Sequence, residues 1–153
     1  MNNTTIQELI DRYVSVSFRV HKKAESLIKG QIGDELTNDQ HYILSYISQS
    51  EECTSSELAD AFEVNKSAIT AIINRMAERG LIERTRDQND RRVVYLTLTD
   101  AGKTLYQTCQ EKIEQLVESI ITQFDEVEIK NFITTYEKLA SILDNKKKEE
   151  MEE

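Results

Sequence analysis

Between Thr54 and Thr99 the chain packs two short helical runs and a β-hairpin into fewer than fifty residues, an order that few folds accommodate. The first run is Thr54-Ser55-Ser56-Glu57-Leu58-Ala59-Asp60-Ala61-Phe62, and a tight polar corner follows at Glu63-Val64-Asn65. A second amphipathic run, Lys66 to Arg79, stops at Gly80. Two β-type runs, Leu81–Thr85 and Val93–Thr99, then flank the charged tip Arg86-Asp87-Gln88-Asn89-Asp90-Arg91-Arg92. Two helices joined by a short corner, with a hairpin behind the second, can set one helix into a DNA major groove. The segment therefore reads as a winged helix-turn-helix.

Charge tests that reading. The whole chain carries a formal net charge of -9, which alone argues against a nucleic-acid partner. Its distribution argues the other way. Residues 65–92 hold seven basic side chains (Lys66, Arg75, Arg79, Arg84, Arg86, Arg91, Arg92) and four acidic ones (Glu78, Glu83, Asp87, Asp90), a net +3 that leaves -12 elsewhere. A basic patch on an acidic body can hold phosphate while limiting non-specific adhesion.

Within the second run, Ala68, Ile69, Ile72, Ile73 and Met76 form an apolar face suited to packing on Leu58, Ala59 and Phe62. The other face presents Lys66, Ser67, Thr70, Ala71, Asn74 and Arg75. Asn65 or Ser67 is placed to cap this helix. Thr70, Asn74 and Arg75 are residue types that read base edges: a methyl for thymine, an amide for adenine, a guanidinium for guanine. At the hairpin tip, clustered arginines repel one another unless phosphate or a narrow minor groove receives them. Arg92 or Arg91 is expected in the groove and Arg86 on phosphate, with Asp90 pairing one arginine and fixing the turn. Thr54, Ser55 and Ser56 are expected as caps and secondary phosphate contacts.

The flanks are helical in pattern. With no Pro and only 4 Gly, composition favours a mainly α fold. Ile6, Leu9, Ile10, Tyr13, Val14, Phe18, His21, Leu27 and Ile28 recur at helical spacing over residues 5–29, and Gly30 to Asp34 reads as the break. Thr37 with Gln40 forms a capping-box pattern for a helix through Ile43, Leu44 and Ile47. Beyond the hairpin, Thr99-Asp100 starts a long helix, Phe124-Asp125 interrupts it, and a last helix follows, with Lys146 to Glu153 expected to fray. These striped flanks, residues 1–34 and 100–153, are expected to form a dimerisation region around a DNA-binding domain at 35–99. An intramolecular helical bundle is the alternative means of burial.

The residues at the hairpin carry a resemblance. Asp90-x-Arg92, then five residues and Leu98-Thr99 with Gly102 beyond, preceded by Ser56-x-Leu58-Ala59 and Gly80-Leu81-Ile82, resembles the MarR family of regulators from roughly Leu36 to Lys103. The resemblance implies a triangular homodimer on a palindromic operator, often a repressor, released by a small phenolic or lipophilic ligand. It also implies that Arg92 is the minor-groove residue of the wing and Asp90 its orienting partner.

Other chemistry is sparse. Tyr13, Phe18, His21, Tyr42 and Tyr46 could line a pocket for a small aromatic or lipophilic effector, or could equally pack a helix junction. Cys53 sits just before a helix, where the dipole could lower its pKa, although a bland cysteine is the favoured reading. Cys109 reads as a small core side chain. Neither histidine, His21 nor His41, has the company a metal site needs, and no cofactor is expected. No nucleophile elbow, phosphate loop or supported carboxylate pair points to an enzyme. No leader pattern and no membrane-spanning apolar run appear, so a cytoplasmic protein is expected. The reading is a homodimeric, sequence-specific DNA-binding regulator. The alternative is a helical interaction module that uses the winged-helix surface on protein.

Overall fold

Capping residues set most of the element boundaries. The computed structural model describes residues 1–153, in the order α1 (Asn3–Ile32), α2 (Asn38–Gln49), α3 (Ser55–Ala61), α4 (Lys66–Glu78), β1 (Ile82–Arg86), β2 (Val94–Leu98), α5 (Asp100–Ile121) and α6 (Glu126–Glu152). Thr37 and Thr54 each complete a capping box, with Gln40 and Glu57 respectively. Each box satisfies backbone donors that a helix start leaves unpaired. Asn65 caps α4 by accepting from the Ala68 amide at 2.8 Å, and Asp125 caps α6 by accepting from Glu128 at 2.9 Å.

Two boundaries differ from the sequence expectation. Gly30 does not break α1; the helix runs on to Ile32 and stops at Gly33, whose φ of 66° suits a residue without Cβ. An interior Gly costs only about 1 kcal/mol relative to Ala, which a helix of 30 residues tolerates. The charged tail does not fray either. It stays helical to Glu152, with Lys146–Glu149 and Lys147–Glu150 ion pairs along one face.

Two compact units make up the chain, Met1–Ile113 and Glu114–Glu153. In the first, strands β1 and β2 pair antiparallel, Ile82 opposite Leu98 and Arg86 opposite Val94. Cys53 adds a single bridge to Leu96, its carbonyl accepting from the Leu96 amide at 2.7 Å. The wing is thus fastened to the start of α3. Alternation along β2 sends Leu96 and Leu98 inward, where they join Ile43, Leu44, Leu58, Ile69, Ile73 and Met76 in one core. Ile32, Leu36 and Cys109 close that core from α1, the following loop and α5. Ala68, expected on the inner face of α4, is exposed instead.

At the base of the wing, the Thr99 hydroxyl donates to the Gly80 carbonyl at 2.5 Å and accepts from the Gly102 amide at 3.0 Å. The Thr99 amide donates to the Leu81 carbonyl at 3.1 Å. A Cβ on Gly102 would overlap that same carbonyl oxygen, so only glycine lets α5 begin here. Along α1, the apolar side chains Ile6, Leu9, Ile10, Tyr13 and Phe18 are exposed in the single chain. In the second unit, α6 likewise exposes Phe132, Ile133, Tyr136, Ile142 and Leu143.

Candidate nucleic-acid interface

The outward face of α4 forms a shallow groove lined by Lys66, Ser67, Thr70, Ala71 and Asn74. Its position follows from amphipathicity: Ile69, Ile73 and Met76 are buried on the opposite side. Asn65, not Ser67, caps the helix, which leaves Ser67 in the groove lining. The Thr70 hydroxyl donates to the Lys66 carbonyl at 2.8 Å. Asn74 accepts a hydrogen bond from the Arg84 guanidinium, so a β1 residue orients one of the side chains suited to a base edge. Arg75 is exposed in the last turn of α4. The corner turns through Glu63, whose φ of 51° is unusual for a residue with a side chain.

The wing tip is built around two carboxylates. Asp87 Oδ1 accepts from the amides of Asn89 at 2.7 Å and Asp90 at 3.3 Å, an Asx-type turn. Its Oδ2 accepts from the Tyr95 hydroxyl at 2.8 Å. These bonds hold the Asp87 carboxyl below its ordinary range, the Asn89 amide contributing most, and push Tyr95 up to about 12. Asp90 then accepts from Arg92 three times, from the amide at 3.0 Å, Nε at 3.1 Å and Nη2 at 3.2 Å. The fork-to-carboxylate geometry fixes the guanidinium in direction as well as charge. Yet the Arg92 side chain is 91% exposed, so a pre-oriented cation stands in solvent at the tip. Arg86 folds back and donates to the Arg91 carbonyl at 2.9 Å, while Arg91 itself is exposed. Thr54 is occupied as the α3 cap, Ser55 is half-buried beside it and Ser56 is exposed.

Of the expected residues, Thr54, Ser55 and Ser56 stand at the start of α3, Asn65 caps α4 and Arg75 lies outside the groove lining. Lys66, Ser67, Thr70 and Asn74 line the α4 groove, and Arg86, Asp90, Arg91 and Arg92 lie at the wing tip. Asp87, Tyr95 and Arg84 support these surfaces and were missed. An Asp two and three residues before backbone donors is a turn signal legible in any sequence. The Tyr95 and Arg84 contacts depend on hairpin register and on how α4 meets β1.

Residues 36–94 match the MarR family. The chain is 33% identical over 105 residues to the transcriptional regulator AdcR of Streptococcus pneumoniae serotype 2 (strain D39), an alignment covering 65% of this chain and 71% of AdcR. The chain belongs to the MarR family. The chain is also 29% identical over 119 residues to the uncharacterized HTH-type transcriptional regulator YwhA of Bacillus subtilis (strain 168), 78% of this chain and 86% of YwhA. Among solved structures, a mutant MarR from E. coli complexed with operator DNA superposes with a TM-score of 0.74 at 22% identity, covering 85% of this chain and 94% of that one. That likeness shows the MarR winged-helix fold.

In this MarR-family chain the five residues expected around an effector do not share a pocket. Tyr13 and Phe18 are exposed on α1, as is His21, which faces only Glu25 at 3.6 Å. Tyr46 is half-buried, its ring edge-on to Phe62 with centroids 6.3 Å apart. Tyr42 lines a cavity of about 240 Å³ bounded by Ile28, Ile113, Gln110 and the polar side chains of α2. The reason is length: at 1.5 Å per residue, Tyr13 lies roughly 22 Å along α1 from Ile28. His41, passed over as a lone histidine, is buried against this cavity, its ring 5.4 Å from that of Tyr106. Its Nε2 and the Oδ1 of Asn38 are buried without partners. An orphaned buried polar atom typically costs about 1–3 kcal/mol.

Cys53 departs from the activated thiol considered above. It is buried, and burial together with the nearby Glu57 carboxylate pushes its thiol up to about 11. Desolvation outweighs whatever the α3 terminus offers, because the cysteine lies outside the helix with its sulfur turned into the core. Cys109 is buried in the core as a small apolar side chain.

Proposed function

We propose that this MarR-family regulator acts as a homodimer that binds double-stranded DNA at a pseudo-palindromic operator and represses by occluding a promoter. Residues 35–99 form the DNA-binding domain, while residues 1–34 and 100–153 pair the two copies. In each lobe α4 enters the major groove with Lys66, Ser67, Thr70, Asn74 and Arg75. The wing reaches the neighbouring minor groove with Arg92, beside Arg91, and Arg86 meets phosphate. The observation that carries this reading is the Asp90-held, solvent-exposed Arg92. A cation fixed in direction and left in water gains most from a groove of negative potential. The operator-bound MarR structure is consistent with the same use of this fold.

Pairing of copies is supported by the apolar side chains left exposed along α1 and α6. Two-fold symmetry would set the recognition helices about 34 Å apart, one DNA turn. A small effector would release the operator by changing that separation. Such a protein works in the cytoplasm, alongside its DNA. No helix is long and apolar enough to cross a membrane.

The test is a fluorescence-anisotropy titration onto DNA from upstream of the protein's own coding region, with excess unrelated DNA, at two salt concentrations. Competitor-resistant binding that weakens with salt is expected. Arg92→Ala should weaken it at least about tenfold and lower the salt slope by roughly one. Unchanged affinity and slope in the variant would remove the wing from the DNA interface and favour a protein partner.

A further inference from the structure

Asn74 and Arg84 form a contact whose direction is set by chemistry. A guanidinium carries N–H donors and no acceptor, so it can meet a carboxamide only at the oxygen. Here Arg84 Nη2 donates to Asn74 Oδ1. The amide is thereby fixed one way round, its acceptor toward β1 and its N–H2 on the other arm of the plane. Strand alternation accounts for the reach. Arg84 stands opposite Leu96, and Ile82, two residues earlier on β1, stands opposite Leu98. Ile82, Leu96 and Leu98 are all buried in the core that α4 covers with Ile69, Ile73 and Met76. Arg84 therefore leaves the hairpin on the side that faces α4.

Both side chains are exposed and water competes for the bond, so it adds little to stability. Its consequence lies in what α4 shows to a base. Asn74 lines the outward groove with Lys66, Ser67, Thr70 and Ala71. A free asparagine pairs bidentately with adenine, accepting from N6 and donating to N7. In this chain the acceptor is already engaged, with a cation beside it. An adenine amino group brought to Oδ1 would approach that cation with its own positive hydrogens. Guanine presents O6 in the same place. Its N7 and O6 are both acceptors, matched by the Asn74 N–H2 and by the remaining N–H donors of the guanidinium. The charge that repels one purine attracts the other, and in a groove cleared of water its effect grows.

We propose that Arg84 is a positioning residue that turns Asn74 from an adenine reader into a guanine reader, so that a wing strand sets the base preference of the recognition helix. The base assignment rests on the DNA-binding function proposed above; the hold of Arg84 on Asn74 does not. Selection of bound sequences from a randomised DNA pool by the full-length protein gives the preferred base pair at each operator position. Asn74→Ala marks the position that Asn74 reads, where preference is lost while the others persist. The parent should select a G·C pair there, and an A·T pair in its place should weaken binding roughly tenfold in anisotropy titrations. Arg84→Met keeps the aliphatic stem and frees the amide, so its G·C-to-A·T affinity ratio should fall at least about tenfold. Arg84→Lys retains a cationic donor and should still select G·C. A guanidinium that only stiffened the lobe or held phosphate would weaken all sequences alike and leave that ratio unchanged in Arg84→Met. Without DNA, the Asn74 side-chain N–H2 resonances, assigned by their loss in Asn74→Ala, should shift in Arg84→Met.

Selection of A·T by the parent at the Asn74 position, or an unchanged ratio in Arg84→Met, would overturn the base assignment. An Asn74→Ala profile identical to the parent at every position would remove Asn74 from the readout and overturn it equally. Unmoved amide resonances in Arg84→Met would overturn the positioning contact itself. Failure of the parent to enrich any sequence would instead sink the DNA-binding function and the base assignment with it, with the resonances still deciding the contact.

Discussion

Single side chains carry most of the chemistry, and two make predictions of opposite character. Cys53, with its thiol pushed up to about 11 in a buried position, should be inert. Thiol-reactive dye should label it only at the rate of global unfolding, and peroxide should leave DNA affinity unchanged. Rapid labelling in native buffer would refute this. His41 responds to pH. Its folded value is lowered from 6.5, chiefly by burial and against the raising effect of Gln110. The unfolded chain therefore takes up a proton near pH 6.5 that the folded chain resists. Stability should be complete above that pH and fall as pH drops toward the folded value. Urea midpoints measured from pH 7.5 to 5 should decline, and His41→Phe should flatten the decline. At this scale the sequence was legible where partners are near in the chain. Asp90 is adjacent in the chain to Arg91 and Arg92, so pairing with one arginine could be read directly, and the family resemblance pointed to Arg92. Asp87 and Tyr95 meet only after the hairpin has chosen its register, and Asn38 and His41 face a cavity only after α1 and α5 have closed it.

Elements were read well where a cap or a glycine with positive φ marks the end, as at Thr37, Thr54, Asn65 and Gly80. They were misread where a local weakness is outvoted by its surroundings, as at Gly30 inside α1 and at the charged end of α6. Propensity at one position is a fraction of the free energy that decides a long helix. Gly102 is the sharpest case at this scale. It looks like a helix-weakening residue in the first turn of α5, yet a side chain there would collide with the Leu81 carbonyl. Gly102→Ala, which gains helix propensity, should nonetheless destabilise by about 1–3 kcal/mol through forced displacement of backbone. Equilibrium denaturation checks this, and a more stable variant would show that the joint yields freely.

For the molecule as a whole, the apolar stripes of α1 and α6 stay exposed in the single chain. If they pair two copies as proposed, Ile10→Asp and Ile133→Asp should shift the sedimentation mass from about 35 kDa, twice the 17.7 kDa chain, toward a single copy. Each should keep a folded lobe, and DNA binding should lose competitor resistance because one half-site alone is held. A parent protein that sediments as one copy would reject the pairing. Sequence periodicity identified these stripes as needing a partner, but spacing along one helix cannot say what meets it. The Thr99–Gly102 joint has a mechanical meaning at this largest scale. Gly80 follows the recognition helix, Leu81 opens the wing, and both carbonyls are tied to the first turn of α5. Helix and wing are ganged to one pivot, so whatever tilts α5 swings both by the same angle. Each lobe should therefore leave DNA in one kinetic step, with no long-lived species clinging by the wing alone.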